Sequence, residues 1–169
     1  RIGEETGAIT HKHGEERTEI TEPVPDHGFG LSEVLRLFEE QGPSLADAHI
    51  VAVGHRVVQG GRYFSGPALI DDDVVARIEQ LVPLGPLHNP AHLKGIEVGR
   101  RLLSDVPHVA VFDTAFFQDL PEEAARYALD REVADTYSIR RYGAHGTSHQ
   151  FVSGAVSQLL GRDDLKQVV

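Results

Sequence analysis

Arg56 and His145 combine a side-chain type and a position suited to chemistry on an anion, and Asp113 places a carboxylate directly after a predicted strand. A guanidinium such as that of Arg56 can bind a carboxylate or a phosphate through two parallel hydrogen bonds. His145 stands two residues ahead of a predicted helix start, where Thr147 and Gln150 match the spacing of a capping box. The free N–H groups of such a helix attract an anion, and the histidine can donate to a phosphoryl oxygen. These residues predict a site for carboxylate or phosphoryl chemistry.

Each of the three residues also has a purely structural interpretation. Arg56 could form a salt bridge, Asp113 could cap a helix or occupy a turn, and His145 could be a loop histidine bonded to a carbonyl group. Gly60 and Gly61 favour binding, because glycines let the backbone turn closely beside a ligand. From the residues alone, the two interpretations of Arg56 have about equal support.

The elements around these residues alternate between strands and helices, which indicates an α/β architecture with a partly parallel sheet. Residues 1–26 are predicted to form a hairpin or two edge strands. Apolar runs predict three buried strands, at His49–Val53, His108–Phe112 and Leu165–Val169. Periodicity and capping residues predict four helices: Ser32–Glu40, one after Asp71–Asp73 that reaches Leu81, one capped by Asn89 that reaches Leu103, and one from Thr147 to Leu160 that Gly161 ends.

This order of elements predicts that several polar side chains share one site. Arg56 follows the first predicted strand and Asp113 follows the second, while His88 and His145 each precede a helix. Open α/β sheets bind ligands beyond the carboxyl ends of their strands. We therefore expect these four side chains to lie together.

The composition excludes several classes of protein. The 169 residues carry a net charge of −10, which opposes a nucleic-acid partner because such binding depends on clustered Lys and Arg. The chain has no apolar run of membrane-spanning length, no secretory signal and no cysteine, so we expect a cytoplasmic protein without a membrane partner. It also lacks methionine, and its last residues resemble a strand cut short, so we expect a piece of a longer protein.

The ten histidines raise the alternative of a metal site. The pairs His88/His92 and His145/His149 have the spacing that places two ligands on one helix face. Pro90 interrupts the first pair, Gly146 interrupts the second, and the glutamate of a zinc protease is absent. A zinc hydrolase is therefore disfavoured, and no phosphate-binding P-loop or serine nucleophile elbow is present.

Four segments resemble the acetate kinase family in the family's order. Arg141–His149, which reads RYGAHGTSH, is similar to the family signature RYG-aromatic-HGTSH. Gly54–Gly61 (GHRVVQGG), Pro86–His92 (PLHNPAH) and Val111–Phe116 (VFDTAF) resemble further family segments. The resemblance runs from about Gly7 to the end of the chain, and several motifs in order make it specific.

The resemblance implies an actin-like, ribonuclease H-like fold of the sugar-kinase type, in which two α/β domains close on a nucleotide cleft. Residues 1–169 would form part of the N-terminal acyl-binding domain, without the family's first strand and loop and without its C-terminal nucleotide domain. The implied reaction is the reversible transfer of a phosphoryl group from ATP to acetate, which yields ADP and acetyl phosphate with Mg²⁺ or Mn²⁺. A homodimer is implied for the complete protein, and no metal ligand is assigned within this chain.

The resemblance also implies a role for each matching residue. Arg56 would bind the carboxylate or acyl phosphate and stabilise the transition state. Asp113 would be catalytic, with a role in metal-assisted charge organisation around the transferring phosphoryl group, and His145 would hydrogen-bond that group. The remaining residues expected at the substrate are Val58 and Leu87, which would line the acyl pocket, together with His88 and Ala144.

Four positions depart from the family pattern. Gln59 and Phe117 replace histidines, and His92 replaces an asparagine. Ala144 replaces an aromatic residue that lies against the acyl group, so we expect room for propionate or a longer acid. A propionate or butyrate kinase is therefore one alternative, and a non-catalytic remnant that binds a carboxylate or a partner domain is another. A protein of these residues alone is expected not to transfer phosphate.

Overall fold

The computed structural model of the chain describes residues 2–3, 5–42, 44–45 and 47–166. The chain divides into two compact units, residues 1–53 with 93–108 and residues 54–92 with 109–169. The predicted α/β architecture, a mixed sheet with flanking helices, is confirmed. Within the described ranges, no helix is both long enough and apolar enough to cross a membrane.

The first unit begins with the predicted hairpin. Strand β1 (Gly7–His13) pairs antiparallel with β2 (Glu16–Glu22), and the register runs from Gly7 opposite Glu22 to His13 opposite Glu16. Gly14, with a φ of 62°, provides the left-handed residue that a two-residue hairpin loop requires. The hairpin prediction for this segment is confirmed.

Helix α1 (His27–Gln41) starts five residues before the predicted position. Asp26 is its N-cap and accepts the N–H of Phe29 at 2.8 Å. The sequence pattern missed this start because Gly28 and Gly30 interrupt the apolar periodicity of the first turn. The predicted end is confirmed, since Gly42 is the C-cap.

The first predicted strand is displaced along the chain. The apolar run suggested His49–Val53, but β3 spans Val53–Val57. His49 has a φ of 46°, which breaks an extended run, and Val51 is 82% exposed. Backbone pairing starts at Val53, whose N–H donates to the carbonyl of Pro107 at 2.9 Å. The prediction was wrong, and Arg56 therefore lies within the strand instead of following it.

The sheet has the order β3-β5-β4, where β4 is Ala68–Leu69 and β5 is His108–Phe112. The bounds of β5 are those predicted, and β4 runs antiparallel to it with Ala68 opposite Ala110. In the second unit, the Phe112 ring stacks on Phe64 with 4.0 Å between ring centroids, and Val57 is fully buried. Asp113 follows β5 directly and opens a 3-10 helix over Asp113–Phe117.

The two middle helices form where local signals predicted them. Helix α2 (Asp72–Gln80) is capped by Asp71, which accepts the N–H of Val74 at 2.8 Å. A 3-10 helix over Val82–Leu84 follows, and α3 (Asn89–Leu102) begins directly after His88. Asn89 was expected to cap α3, but its carboxamide bonds to the main chain of Gln59. That cap prediction was wrong because a distant segment engages the side chain.

Three helices complete the second unit: α4 (Glu122–Ala125), α5 (Arg131–Thr136) and α6 (Gly146–Leu160). The end of α6 at Gly161 is confirmed, and this glycine has the left-handed φ of 61°. The apolar side chains of α6 are largely exposed, including Phe151 at 76% and Leu159 at 84%. The last predicted strand, Leu165–Val169, lies mostly outside the described residues, and Leu165 and Lys166 are not in a strand.

Candidate active site

Arg56 and Asp113 form an ion pair within the second unit. The Asp113 carboxylate is completely buried at the end of β5, while the Arg56 side chain is 53% exposed. Arg56 Nε lies 3.2 and 3.1 Å from the two carboxylate oxygens, and its Nη2 donates to Oδ2 at 2.5 Å. Because a guanidinium carries five N–H groups, this pairing leaves the two on Nη1 for a ligand. The salt-bridge and the ligand-binding interpretations of Arg56 are therefore compatible.

His145 joins the ion pair from the N-terminus of α6. Its Nδ1 lies 3.3 Å from Arg56 Nη2. A guanidinium can only donate, so Nδ1 is the acceptor and the proton of the neutral ring is on Nε2. His145 has a left-handed φ of 54°, a conformation that costs about 1–2 kcal/mol for a residue with a side chain. Its carbonyl accepts the N–H groups of Ser148 and His149, both at 3.0 Å, and these bonds help to hold it there.

Thr147 is a member of the cluster that sequence reasoning missed. Its hydroxyl donates to Asp113 Oδ1 at 2.6 Å. The predicted capping box with Gln150 is therefore wrong, because α6 starts at Gly146 and the Thr147 hydroxyl bonds to a carboxylate. A threonine directly after a histidine and a glycine at a helix start is the only local signal, and it suits a cap equally well.

The environment of Asp113 keeps its carboxyl group ionised. Burial raises the pKa of Asp113, but the hydrogen bonds from Arg56 and Thr147 and the charge of Arg56, with a smaller contribution from the nearby His145, outweigh burial. The net pKa lies below the ordinary value for aspartate. The site thus contains a fixed negative charge that orients Arg56.

The main chain after β3 is held by side chains from two other segments. Val58 N–H donates to His92 Nδ1 at 3.3 Å, and Gln59 N–H donates to Asn89 Oδ1 at 3.2 Å. Gly60 N–H donates to the Thr114 hydroxyl at 2.9 Å. These bonds fix the main chain of the predicted acyl-pocket residue Val58, which lies directly after the strand that carries Arg56.

Gly60 and Gly61 serve packing in this structure. A Cβ atom at Gly60 would come within 3.0 Å of the Phe112 ring, and one at Gly61 would overlap Leu81. Gly61 also has a left-handed φ of 57°. The close approach that these glycines permit is to the core of the unit.

The other residues predicted to contact the substrate differ in exposure. Val58 is half-buried, whereas His88 is exposed with its ring centroid 6.3 Å from that of His92. Leu87 is 87% exposed, and Ala144 is exposed directly before His145. The structure thus brings Arg56, Asp113 and His145 into direct contact but not Leu87 or Ala144.

The positions that depart from the family pattern have clear structural surroundings. Gln59 is buried and its Oε1 accepts the N–H of Gly61 at 2.8 Å. The Phe117 ring packs edge-to-face on His149, with 5.9 Å between ring centroids. His92 lies in α3 against Val58. The replacements at these positions therefore make packing or hydrogen-bond contacts of their own.

Among the residues described, no group of three or more His, Asp or Glu side chains is placed to hold a metal ion. Both oxygens of Asp113 are already engaged by Arg56 and Thr147.

The sequence profile of the acetokinase family matches residues 1–169. The chain is 53% identical over 163 residues to an acetate kinase of Corynebacterium aurimucosum, covering 96% of this chain and 40% of that protein. It is 54% identical over 162 residues to an acetate kinase of Clavibacter michiganensis, covering 96% and 41%. The chain therefore spans about two fifths of the length of these curated relatives.

Solved structures show the same relationship. A propionate kinase from Francisella tularensis superposes with a TM-score of 0.86 at 38% identity, over 96% of this chain and 41% of that one. An acetate kinase from Porphyromonas gingivalis superposes with a TM-score of 0.80 at 40% identity, over 88% and 38%. With the profile match over its whole length and the shared fold, this chain belongs to the acetokinase family.

Proposed function

We propose that the complete protein transfers a phosphoryl group from ATP to acetate, and that this chain supplies residues that bind the carboxylate and the transferring group. The observation that carries the proposal is the cluster of Arg56, Asp113 and His145, in which a buried carboxylate orients a half-exposed guanidinium. Relatives that share about half of their residues with this chain are acetate kinases.

The geometry suits the charge changes of this reaction. A carboxylate oxygen forms a bond to the γ-phosphorus while the bond to the bridging oxygen breaks, and ADP leaves with that electron pair. Negative charge on the transferring group requires donors already in place. Arg56 Nη1 and the Nε2–H of His145 are donors of this kind, since the opposite side of each group is held by a contact within the cluster.

Asp113 has a supporting role in this scheme. Its low pKa keeps it negative, so it orients Arg56 and offsets part of the positive charge beside the substrate. On the family resemblance, we propose that the complete protein uses ATP or ADP with Mg²⁺ or Mn²⁺; among the residues described, no group of three or more His, Asp or Glu side chains is placed to hold that ion. We also propose, on the family resemblance, a cytoplasmic homodimer whose product feeds acetyl-CoA formation.

An alternative substrate is a carboxylic acid longer than acetate, such as propionate or butyrate. Ala144, exposed next to His145, offers less bulk than the aromatic residue of the family pattern, and one of the similar structures is a propionate kinase. A non-catalytic remnant that binds a carboxylate remains the alternative from another class.

Trapping of acyl phosphate by hydroxylamine tests the proposal. The complete protein should form acetyl or propionyl hydroxamate with ATP, and a protein of residues 1–169 alone should form neither. Carboxylate binding without any hydroxamate from the complete protein would favour the remnant. Turnover by residues 1–169 alone would contradict the proposal that further segments complete the site.

A further inference from the structure

His92 lies in the first turn of α3 and touches the loop that carries the proposed acyl-binding residue. Its Nδ1 accepts the main-chain N–H of Val58 at 3.3 Å. We propose that His92 is a positioning residue which, as a neutral imidazole, holds Val58 in place and so shapes the pocket for the acyl group of a short-chain carboxylate. This inference rests on the proposed function for its link to the substrate, but the contact itself does not.

Two side chains of α3, Asn89 and His92, hold two successive residues after β3, and we call these contacts the clamp. Val58 is the first residue after β3, and the next residue, Gln59, is held by Asn89 through both its N–H and its carbonyl group. Asn89 and His92 are three residues apart on α3, a spacing that places both side chains on one face of the helix. One helix turn therefore binds two successive main-chain N–H groups beside Arg56. Loss of His92 would free Val58 while Asn89 still anchors Gln59.

The clamp works only with an unprotonated Nδ1. The Val58 N–H is a donor, so the proton of the neutral ring belongs on Nε2. Burial lowers the pKa of His92, and the neighbouring charges of His88, before α3, and Arg56, in β3, lower it further. Asp113, after β5, acts in the opposite direction without reversing the shift. Protonation would put a second donor against the Val58 N–H and break the bond.

Replacement by asparagine and by leucine separates this role from simple packing. Asparagine stands at this position in the family pattern, and its Oδ1 can accept a hydrogen bond at any pH near neutrality. Leucine fills similar space without an acceptor. His92→Asn should therefore preserve the clamp and remove its dependence on pH, whereas His92→Leu should abolish it.

Hydrogen exchange of the Val58 amide in the complete protein tests the contact independently of catalysis. His92→Leu should accelerate exchange about fivefold or more relative to the unmodified protein, as expected for loss of one hydrogen bond, while His92→Asn should not. Protection in the unmodified protein, corrected for intrinsic exchange, should fall as pH decreases through the pKa of His92, below its usual value of about 6.5. Protection in His92→Asn should stay constant over the same range.

Equal Val58 protection in the unmodified protein and in folded His92→Leu would overturn the inference. If His92→Leu does not fold, the pH comparison decides, and an identical pH response in His92→Asn would overturn it. For the link to substrate, KM for the carboxylate should rise several-fold in His92→Leu, with KM for ATP and kcat changed little. If the complete protein forms no acyl phosphate but shows the expected exchange pattern, the proposed function is refuted. The contact between His92 and Val58 is then still supported.

Discussion

The Cα of Gly146 lies so close to the main chain of Asp113 that no side chain fits between them. A Cβ atom at Gly146 would overlap the Asp113 carbonyl oxygen and come within 2.8 Å of the Phe116 Cβ. Gly146 is the first residue of α6 and directly follows His145. This approach brings the N-terminus of α6, with His145 and Thr147, against the end of β5.

Gly146→Ala should therefore separate α6 from Asp113. We expect destabilisation by about 1–3 kcal/mol, the usual cost of overpacking, together with a large loss of kcat in the complete protein. Urea unfolding and the acyl phosphate assay provide the two measurements.

Gly154→Ala is the matched control in the same helix. A Cβ atom there would meet nothing within 4 Å, so alanine should stabilise the protein by about 0.5–1 kcal/mol through helix propensity. Equal effects of the two substitutions would contradict the close approach of α6 to Asp113.

The ion pair of Asp113 should be visible in the pH dependence of stability. The pKa of Asp113 is lower in the folded protein than in the unfolded chain. Below about pH 4 the unfolded chain therefore binds more protons than the folded protein, which favours unfolding. The contribution of Asp113 is therefore present above that pH and is lost as pH decreases through the folded pKa.

Urea unfolding of the unmodified protein and of Asp113→Asn between pH 3 and pH 7 measures this contribution. The stability difference should be largest near neutrality and should shrink towards pH 3. A difference that does not change with pH would mean that the carboxylate is not stabilised by Arg56 and Thr147 in solution.

Arg56→Ala should abolish most of the activity of the complete protein. Removal of an arginine that stabilises a transferring phosphoryl group costs on the order of 10³–10⁵ in rate. Arg36→Ala is a suitable control, because Arg36 also pairs with carboxylates, Glu33 and Glu40, but lies on α1 in the other unit. Near-normal turnover in Arg56→Ala would mean that Arg56 forms only a structural salt bridge.

Ala144 should set the preference for acyl chain length. Exchange of a ring for a methyl group opens space, and each CH₂ buried there contributes about 0.8 kcal/mol, which favours propionate over acetate. Values of kcat/KM for acetate, propionate and butyrate should shift towards acetate in Ala144→Phe. A steep acetate preference that is the same in both proteins would mean that neighbouring side chains fill the gap.

The sequence by itself determined the elements whose signals are local. The hairpin, the helix α2 after the aspartates, β5 and the Gly161 end of α6 follow from turn residues, apolar periodicity and apolar runs within a few positions. Arg56, Asp113 and His145 were identified as candidates mainly because each stands in a segment that resembles a family motif.

Only the tertiary structure decided which groups meet. Arg56 and Asp113 are 57 residues apart, and the Thr147 hydroxyl, predicted to cap its own helix, bonds to Asp113 instead. The start of β3 at Val53 and the use of Asn89 and His92 on the following loop likewise depend on distant partners. A side chain that can satisfy a local or a remote group takes the partner that burial and packing bring to it, and that choice is made by the fold.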